Sequence, residues 1–168
     1  SADRFETLNV RLRGDRDIAL AAVACHPLSI KDITGDLPQD RQLMLDAVRA
    51  NGGAFKFCPL LYRADAEIAL TALSKISDGL EQELMMLKLR KRLHFVADQL
   101  CTDRSFILEA VSVNGNLLGA INDTFRADRE IAIAAINENG FALRWAITEM
   151  RADREVVSTA IREASLLH

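Results

Sequence analysis

The side chains in this sequence best suited to bind a metal or attack a substrate are three histidines and three cysteines: His26, His94 and His168, with Cys25, Cys58 and Cys101. A zinc site wants donors paired at i, i+3 or i, i+4, or a Cys-x-x-Cys knuckle. Neither pattern occurs. Cys25 and His26 are adjacent, poor spacing for one helix face, and His94 and Cys101, seven apart, supply only two donors. No metal and no other cofactor is expected. Acids are abundant, but most fall where helices begin. No Gly-rich phosphate loop and no Gly-x-Ser-x-Gly elbow is present. The expectation is a protein that is not an enzyme, with no catalytic residues. Asn122-Asp123-Thr124 matches a glycosylation sequon, a short and common pattern.

Arginine is arranged with more order. Arg13-Gly14-Asp15-Arg16, Arg126-Ala127-Asp128-Arg129 and Arg151-Ala152-Asp153-Arg154 each place Arg on both sides of an Asp. Stacked in register, such segments make a ladder of alternating charge. One reading is a grip on phosphates, as in single-strand RNA-binding helical repeats. The other, which we prefer, is ion pairing between neighbouring segments, because each Arg has an Asp beside it and the net field is small. RNA recognition would also need exposed aromatics for stacking. Phe57, Phe95 and Trp145 share a place at the edge of the apolar stripe, and Trp145 is the one expected to be partly exposed.

The elements that carry these residues repeat. Asp-Arg recurs as Asp15-Arg16, Asp40-Arg41, Asp103-Arg104, Asp128-Arg129 and Asp153-Arg154, with Asp65-Ala66 as a variant. The spacing is 25 residues throughout, except for one interval of 38 that contains a 13-residue insertion. Counting the Asp as position 1, position 8 is always Ala: Ala22, Ala47, Ala72, Ala110, Ala135, Ala160. Positions 4, 5, 8 and 9 form one apolar helical stripe. A small residue inside it predicts close helix approach. The Asp fits an N-cap, and an acid two residues on (Asp17, Glu67, Glu130, Glu155) meets the positive end of the helix dipole. Asn-Gly at Gly52, Gly115 and Gly140 predicts a left-handed C-cap. Apolar residues at positions 16, 19 and 23 predict a second helix of about ten residues in each repeat, too short to stand alone.

The insertion, residues 80–92, is the least repetitive feature. Its sequence favours helix, with Glu81 and Glu83 early and Lys88, Arg90, Lys91 and Arg92 late. Met85, Met86 and Leu89 widen a leucine stripe, and an adaptable Met-rich face suits partner binding. The competing reading folds this helix back on its own repeats. Removing residues 80–92 would restore the 25-residue phase across the junction.

The stretch from Asp128 to Arg154, with its Asp-Arg-Glu start, Ala-rich helix, Asn-Gly and aromatic-bearing second half, resembles the repeat called domain of unknown function 4116. The resemblance is clearest at 40–62 and 103–168. Pro27 in place of Gly, and Ala66 in place of Arg, depart from it. It implies a helical repeat without an assigned activity, and so a scaffold or recruitment role.

The fold expected is all-α: an α-solenoid of about six two-helix repeats in a single domain over 1–168. It comprises a half-repeat at 1–14, repeats starting at 15, 40, 65, 103, 128 and 153, and the insertion at about 80–92. Asp15, Asp40, Asp65, Asp103, Asp128 and Asp153, with Arg16, Arg129 and Arg154, are assigned structural roles. Met85, Met86, Lys88, Leu89, Arg90, Lys91, Arg92 and Trp145 are the candidate partner-binding residues. A net charge of −3 argues against a surface built wholly for nucleic acid or anionic lipid, and no apolar run is long enough to span a membrane. The function expected is a non-catalytic protein–protein interaction scaffold, including as an accessory subunit of a larger assembly. The alternative is an RNA-binding helical repeat protein. The partner expected is another protein, acidic or amphipathic at the contact. The location expected is intracellular, cytosol or organelle, with no targeting segment visible. An odd cysteine count gives no disulfide framework.

Overall fold

In the computed structural model, residues 5–74 and 82–165 are described, with the side chains of 82–85, 164 and 165 left aside. Among the described residues the regular structure is all helical. The α-helices are α1 (Val10–Arg13), α2 (Arg16–Cys25), α3 (Arg41–Ala50), α4 (Leu60–Arg63), α5 (Ala66–Ser74) and α6 (Gln82–Leu93). They continue with α7 (Asp98–Cys101), α8 (Arg104–Val113), α9 (Asp123–Arg126), α10 (Arg129–Glu138), α11 (Thr148–Ala152) and α12 (Arg154–Ser165).

Each repeat opens as expected. The Asp carboxylate accepts from backbone N–H groups of the first turn, as Asp15 does from Asp17 and Ile18, both at 3.1 Å. Asp128 likewise accepts from Glu130 and Ile131, and Asp153 from Glu155 and Val156. These bonds satisfy donors that have no partner within the helix. The apolar stripe then faces inward. Leu43, Met44, Ala47 and Val48 on α3 are buried, and so are Ile131, Ala132, Ala135 and Ile136 on α10. Of the repeated alanines, Ala47, Ala72, Ala110, Ala135 and Ala160 are buried, while Ala22 is half-buried.

The second half of a repeat is built differently from the ten-residue helix that the spacing predicts. It is a tight 3-10 stretch (Pro27–Asp32, Gly52–Phe57, Gly115–Gly119, Gly140–Trp145), usually followed by a single α-turn. Ile33, Cys58 and Ala146 lie between the two pieces in extended conformation, with ψ of 138°, 147° and 154°. The switch is made by Asn51, Asn114 and Asn139. Each is extended, with φ between −146° and −151°, and its side-chain oxygen accepts the N–H two residues on. That local bond competes with continued α-helix and starts the tighter turn. The apolar residues keep their inward direction: Ile30, Phe55 and Leu118 are buried, as are Ile33, Cys58, Val96, Ile121 and Ala146.

The glycine after each Asn is therefore not a left-handed cap. Among the described residues the positive φ belongs to Gly35, at 73°. Gly115 has another reason: a Cβ there would overlap the carbonyl oxygen of Ala135 in the next repeat. Glycine lets the two backbones approach.

The chain forms two compact lobes, residues 1–76 with 95–97, and residues 77–94 with 98–168. In the second lobe, α6 packs against the 3-10 stretch Gly115–Gly119. Met86 and Leu89 are buried there.

Candidate partner surfaces

The repeated arginines reach forward to the next repeat. In the first lobe, Arg16 binds Asp40 at 2.6 Å and Asp46 at 2.7 Å. Arg41 clamps Asp65 through two nitrogens, at 2.7 and 2.9 Å, and reaches Glu67 at 2.7 Å. The second lobe repeats the pattern. Arg104 holds Asp128 at 2.8 and 3.0 Å and Glu130 at 2.7 Å, and Arg129 meets Asp153 and Glu155. In three of these rungs the acceptors are the cap Asp and the first-turn acid, and for Arg16 Asp46, further along α3, takes the place of that acid; in each, one carboxylate caps a helix and receives a guanidinium. The hydrogen bonds from Arg41 and Arg104 hold Asp65 and Asp128 below the usual carboxylate range, and the same bonds raise both arginines. For Asp40 and Asp153 the backbone N–H bonds are the larger cause of the same downward shift.

One rung is missing from the sequence. Ala66 stands where Arg would reach forward, and Ser105 stands where the first-turn acid would receive it. Asp103 instead takes the Ser105 hydroxyl at 2.7 Å. The donor and the first-turn acid are lost together, and the cap Asp is kept.

An Arg stands two residues before four of the six cap aspartates (Arg13, Arg63, Arg126 and Arg151), and three of these make a second set of contacts. Arg13 donates to the Asp32 carbonyl at 3.3 Å, Arg126 donates to the Trp145 carbonyl at 2.8 Å, and Arg63 lies over the Phe95 ring at 6.0 Å. Asp32, Phe95 and Trp145 occupy the same repeat position. Sequence spacing had grouped Phe57, Phe95 and Trp145, but not the arginine partners of Phe95 and Trp145 one repeat earlier. Arg154 is exposed and has no ion-pair partner among the described residues.

The insertion residues divide between core and surface. Met86 and Leu89, read from the sequence as partner anchors, are buried instead, because the i, i+3 pair faces the repeat. A Cβ at Gly119 would come within 2.7 Å of both the Trp145 ring and the Met86 methyl, so these three converge. Arg90 is exposed and donates to the Gly119 carbonyl at 3.3 Å. Arg92 is half-buried, and desolvation lowers its pKa to about 10. The side chain of Met85 lies outside the described residues. Leu87, Lys88 and Lys91 face out. Trp145 is half-buried as expected, with its indole Nε1 shielded from solvent and unpartnered among the described residues.

The other chemical candidates stay apart. His26, His94 and Cys25 are exposed, and His168 lies outside the described residues. Burial pushes the Cys58 thiol up to about 12 and raises that of Cys101. Among the described residues no three His, Cys, Asp or Glu side chains gather as metal ligands, and no helix is long and apolar enough to cross a membrane.

Two stretches, residues 40–82 and 128–166, match the family described as Domain of unknown function (DUF4116). Both stretches are similar to repeats of this family. Each matched segment contains one complete rung of the forward rail, Arg41 to Asp65 and Glu67 in the first, Arg129 to Asp153 and Glu155 in the second. Comparison with curated proteins and with solved structures found no match.

Proposed function

We propose that this protein is a non-catalytic interaction scaffold, acting as an accessory subunit of a larger intracellular assembly. Its second lobe would present the outer face of α6 to an acidic, amphipathic partner. One observation carries the reading: α6 stands outside the repeat phase and is pinned by Met86 and Leu89, yet turns Leu87, Lys88 and Lys91 to solvent. Leu87 is 48% exposed, and neither lysine has a carboxylate within 4 Å among the described residues. An apolar anchor beside unneutralised positive charge suits a partner with the complementary pattern. Most of the repeated arginines are already engaged by carboxylates and carbonyls, which removes the main support for a phosphate-gripping ladder. Three free thiols fit a reducing compartment.

The test is affinity capture from native extract, nuclease-treated, with the parent chain and a Leu87→Ser, Lys88→Glu, Lys91→Glu variant whose circular dichroism matches the parent. Loss of a defined protein set with the variant supports the reading. An unchanged set, or capture abolished by nuclease alone, overturns it.

A further inference from the structure

The first lobe carries a feature that neither set of arginine contacts uses. Lys31 and Lys56, one repeat apart in sequence, both place their ammonium groups over the ring of Phe57, at 5.0 and 4.5 Å from its centre. Both lysines are exposed, and neither has a carboxylate within 4 Å among the described residues. The acids of this lobe that do form ion pairs, Asp40, Asp46, Asp65 and Glu67, are held by Arg16, Arg41 and Arg49. The quadrupole of the ring attracts both ammonium groups but carries no net charge to neutralise them. An anion bound at the two groups would do so.

The chain then continues into Leu60 and Leu61, each 74% exposed. Leu60 is three residues past Phe57, so the two α-carbons lie within about 11 Å. Val10-Arg11 holds these two positions in the half-repeat, with Val10 62% exposed, and Gly35-Asp36 holds them in the first repeat; three later repeats use polar residues, Asp98-Gln99, Asp123-Thr124 and Thr148-Glu149. There an acid or a small polar residue favours the first turn of the short helix. In this repeat the N-cap is Pro59, with no side-chain cap bond, and two leucines stand in water. Leu28, three residues before Lys31, is also exposed, at 53%. Two adjacent exposed leucines occur at these positions in this repeat alone, with no gain in packing, and such a deviation points to a binding role.

We infer that the first lobe holds a second, independent docking surface, formed by Lys31, Lys56 and Phe57 with Leu28, Leu60 and Leu61. Its occupant is an acidic peptide segment with aliphatic side chains. Its carboxylates pair with the two ammonium groups and its aliphatic side chains cover the leucines. Single-stranded RNA fits less well, because the ammonium groups cover the aromatic ring and leucines offer no flat face for a base. This surface rests on the scaffold reading only in the kind of partner it takes; its residues are separate from α6.

The experiment uses the whole chain and three probes: a labelled peptide of repeated Glu-Leu-Leu-Glu blocks bearing a photoreactive group, its Lys-Leu-Leu-Lys counterpart, and oligouridine. Binding is read by fluorescence anisotropy, and position by mass spectrometry of cross-linked fragments. The acidic peptide is expected to bind and to cross-link within residues 28–61. Lys31→Glu with Lys56→Glu, and separately Leu60→Ser with Leu61→Ser, should each weaken it about tenfold or more at that site. The paired Lys88→Glu, Lys91→Glu variant should leave these cross-links unchanged. Both serine positions are solvent-facing, so circular dichroism should match the parent. Cross-links confined to α6 would overturn this inference and leave the scaffold reading standing. Equal binding of the basic peptide, tighter binding of oligouridine through Lys31 and Lys56, or no binding would each overturn it as well.

Discussion

Asp128 does two jobs, and two substitutions separate them. Its carboxylate caps α10 through the N–H groups of Glu130 and Ile131, at 3.0 and 3.2 Å, and receives two bonds from Arg104. Asn at an N-cap accepts the same backbone bonds but carries no charge, whereas Ala does neither. Losing the cap costs about 1 kcal/mol. The ion pair adds less, because Arg104 stands half in water and screening weakens it. Asp128→Ala should therefore lower the melting temperature by about 2–4 °C if the whole chain unfolds together. It should lower it by about 4–8 °C if the second lobe unfolds on its own. Asp128→Asn should lose a minor part of that, and added salt should shrink the difference between Asn and the parent. Differential scanning calorimetry at neutral pH, in low and high salt, reads all of these values. If Asp128→Asn is as damaging as Asp128→Ala, and salt leaves that difference untouched, the assignment of the cap as the dominant interaction is wrong.

Four further outcomes follow from the same structure. Ala135→Phe should overpack the helix contact and destabilise by about 1–3 kcal/mol in denaturant unfolding. Leu89→Ala should cost about 2–5 kcal/mol, because the side chain is fully buried, and a near-zero cost would mean that α6 is not part of the core. With a thiol reagent under native conditions, Cys25 should react first, and Cys58 only after unfolding, since burial keeps its pKa near 12. Asp65 and Asp128 have folded pKa values below the unfolded value of about 3.9, so their contribution is complete above that pH and is lost as the pH falls below it, through the lower folded values. Melting temperature should be level between about pH 7 and 5 and fall below about 4, less steeply in Asp128→Asn.

The repeat, the cap aspartates and the buried alanines were legible because they depend on local spacing, which a 25-residue period displays six times over. The forward direction of the arginines was legible in kind, since Asp beside Arg suggested ion pairing, but their partners required the stacked geometry. The two-piece second half was not readable from apolar positions 16, 19 and 23, because a 3-10 stretch and a continuous helix can bury the same residues. The signal that does distinguish them is Asn51, Asn114 and Asn139, whose side chains divert the backbone. The fate of Met86 and Leu89 also had a trace in the sequence. Gly119 fills a position that holds Lys31, Lys56 and Arg144 elsewhere, and only glycine leaves room there for the Trp145 ring and the Met86 methyl.

The forward rail also gives the repeat a polarity that bears on how such chains change length. Each full repeat offers a guanidinium on one side and a carboxylate pair on the other, and the partners lie mostly 24 to 26 residues apart. Excising or duplicating one 25-residue block joins a donor to an acceptor of the same kind. No charge is orphaned, and the joint re-forms with the interaction that it replaced. A block inserted at the Ala66 interruption, by contrast, would present an arginine to Ser105 or an acid pair to Ala66. Gene-level gain and loss of repeats should therefore be tolerated within each run of rungs and resisted at that junction.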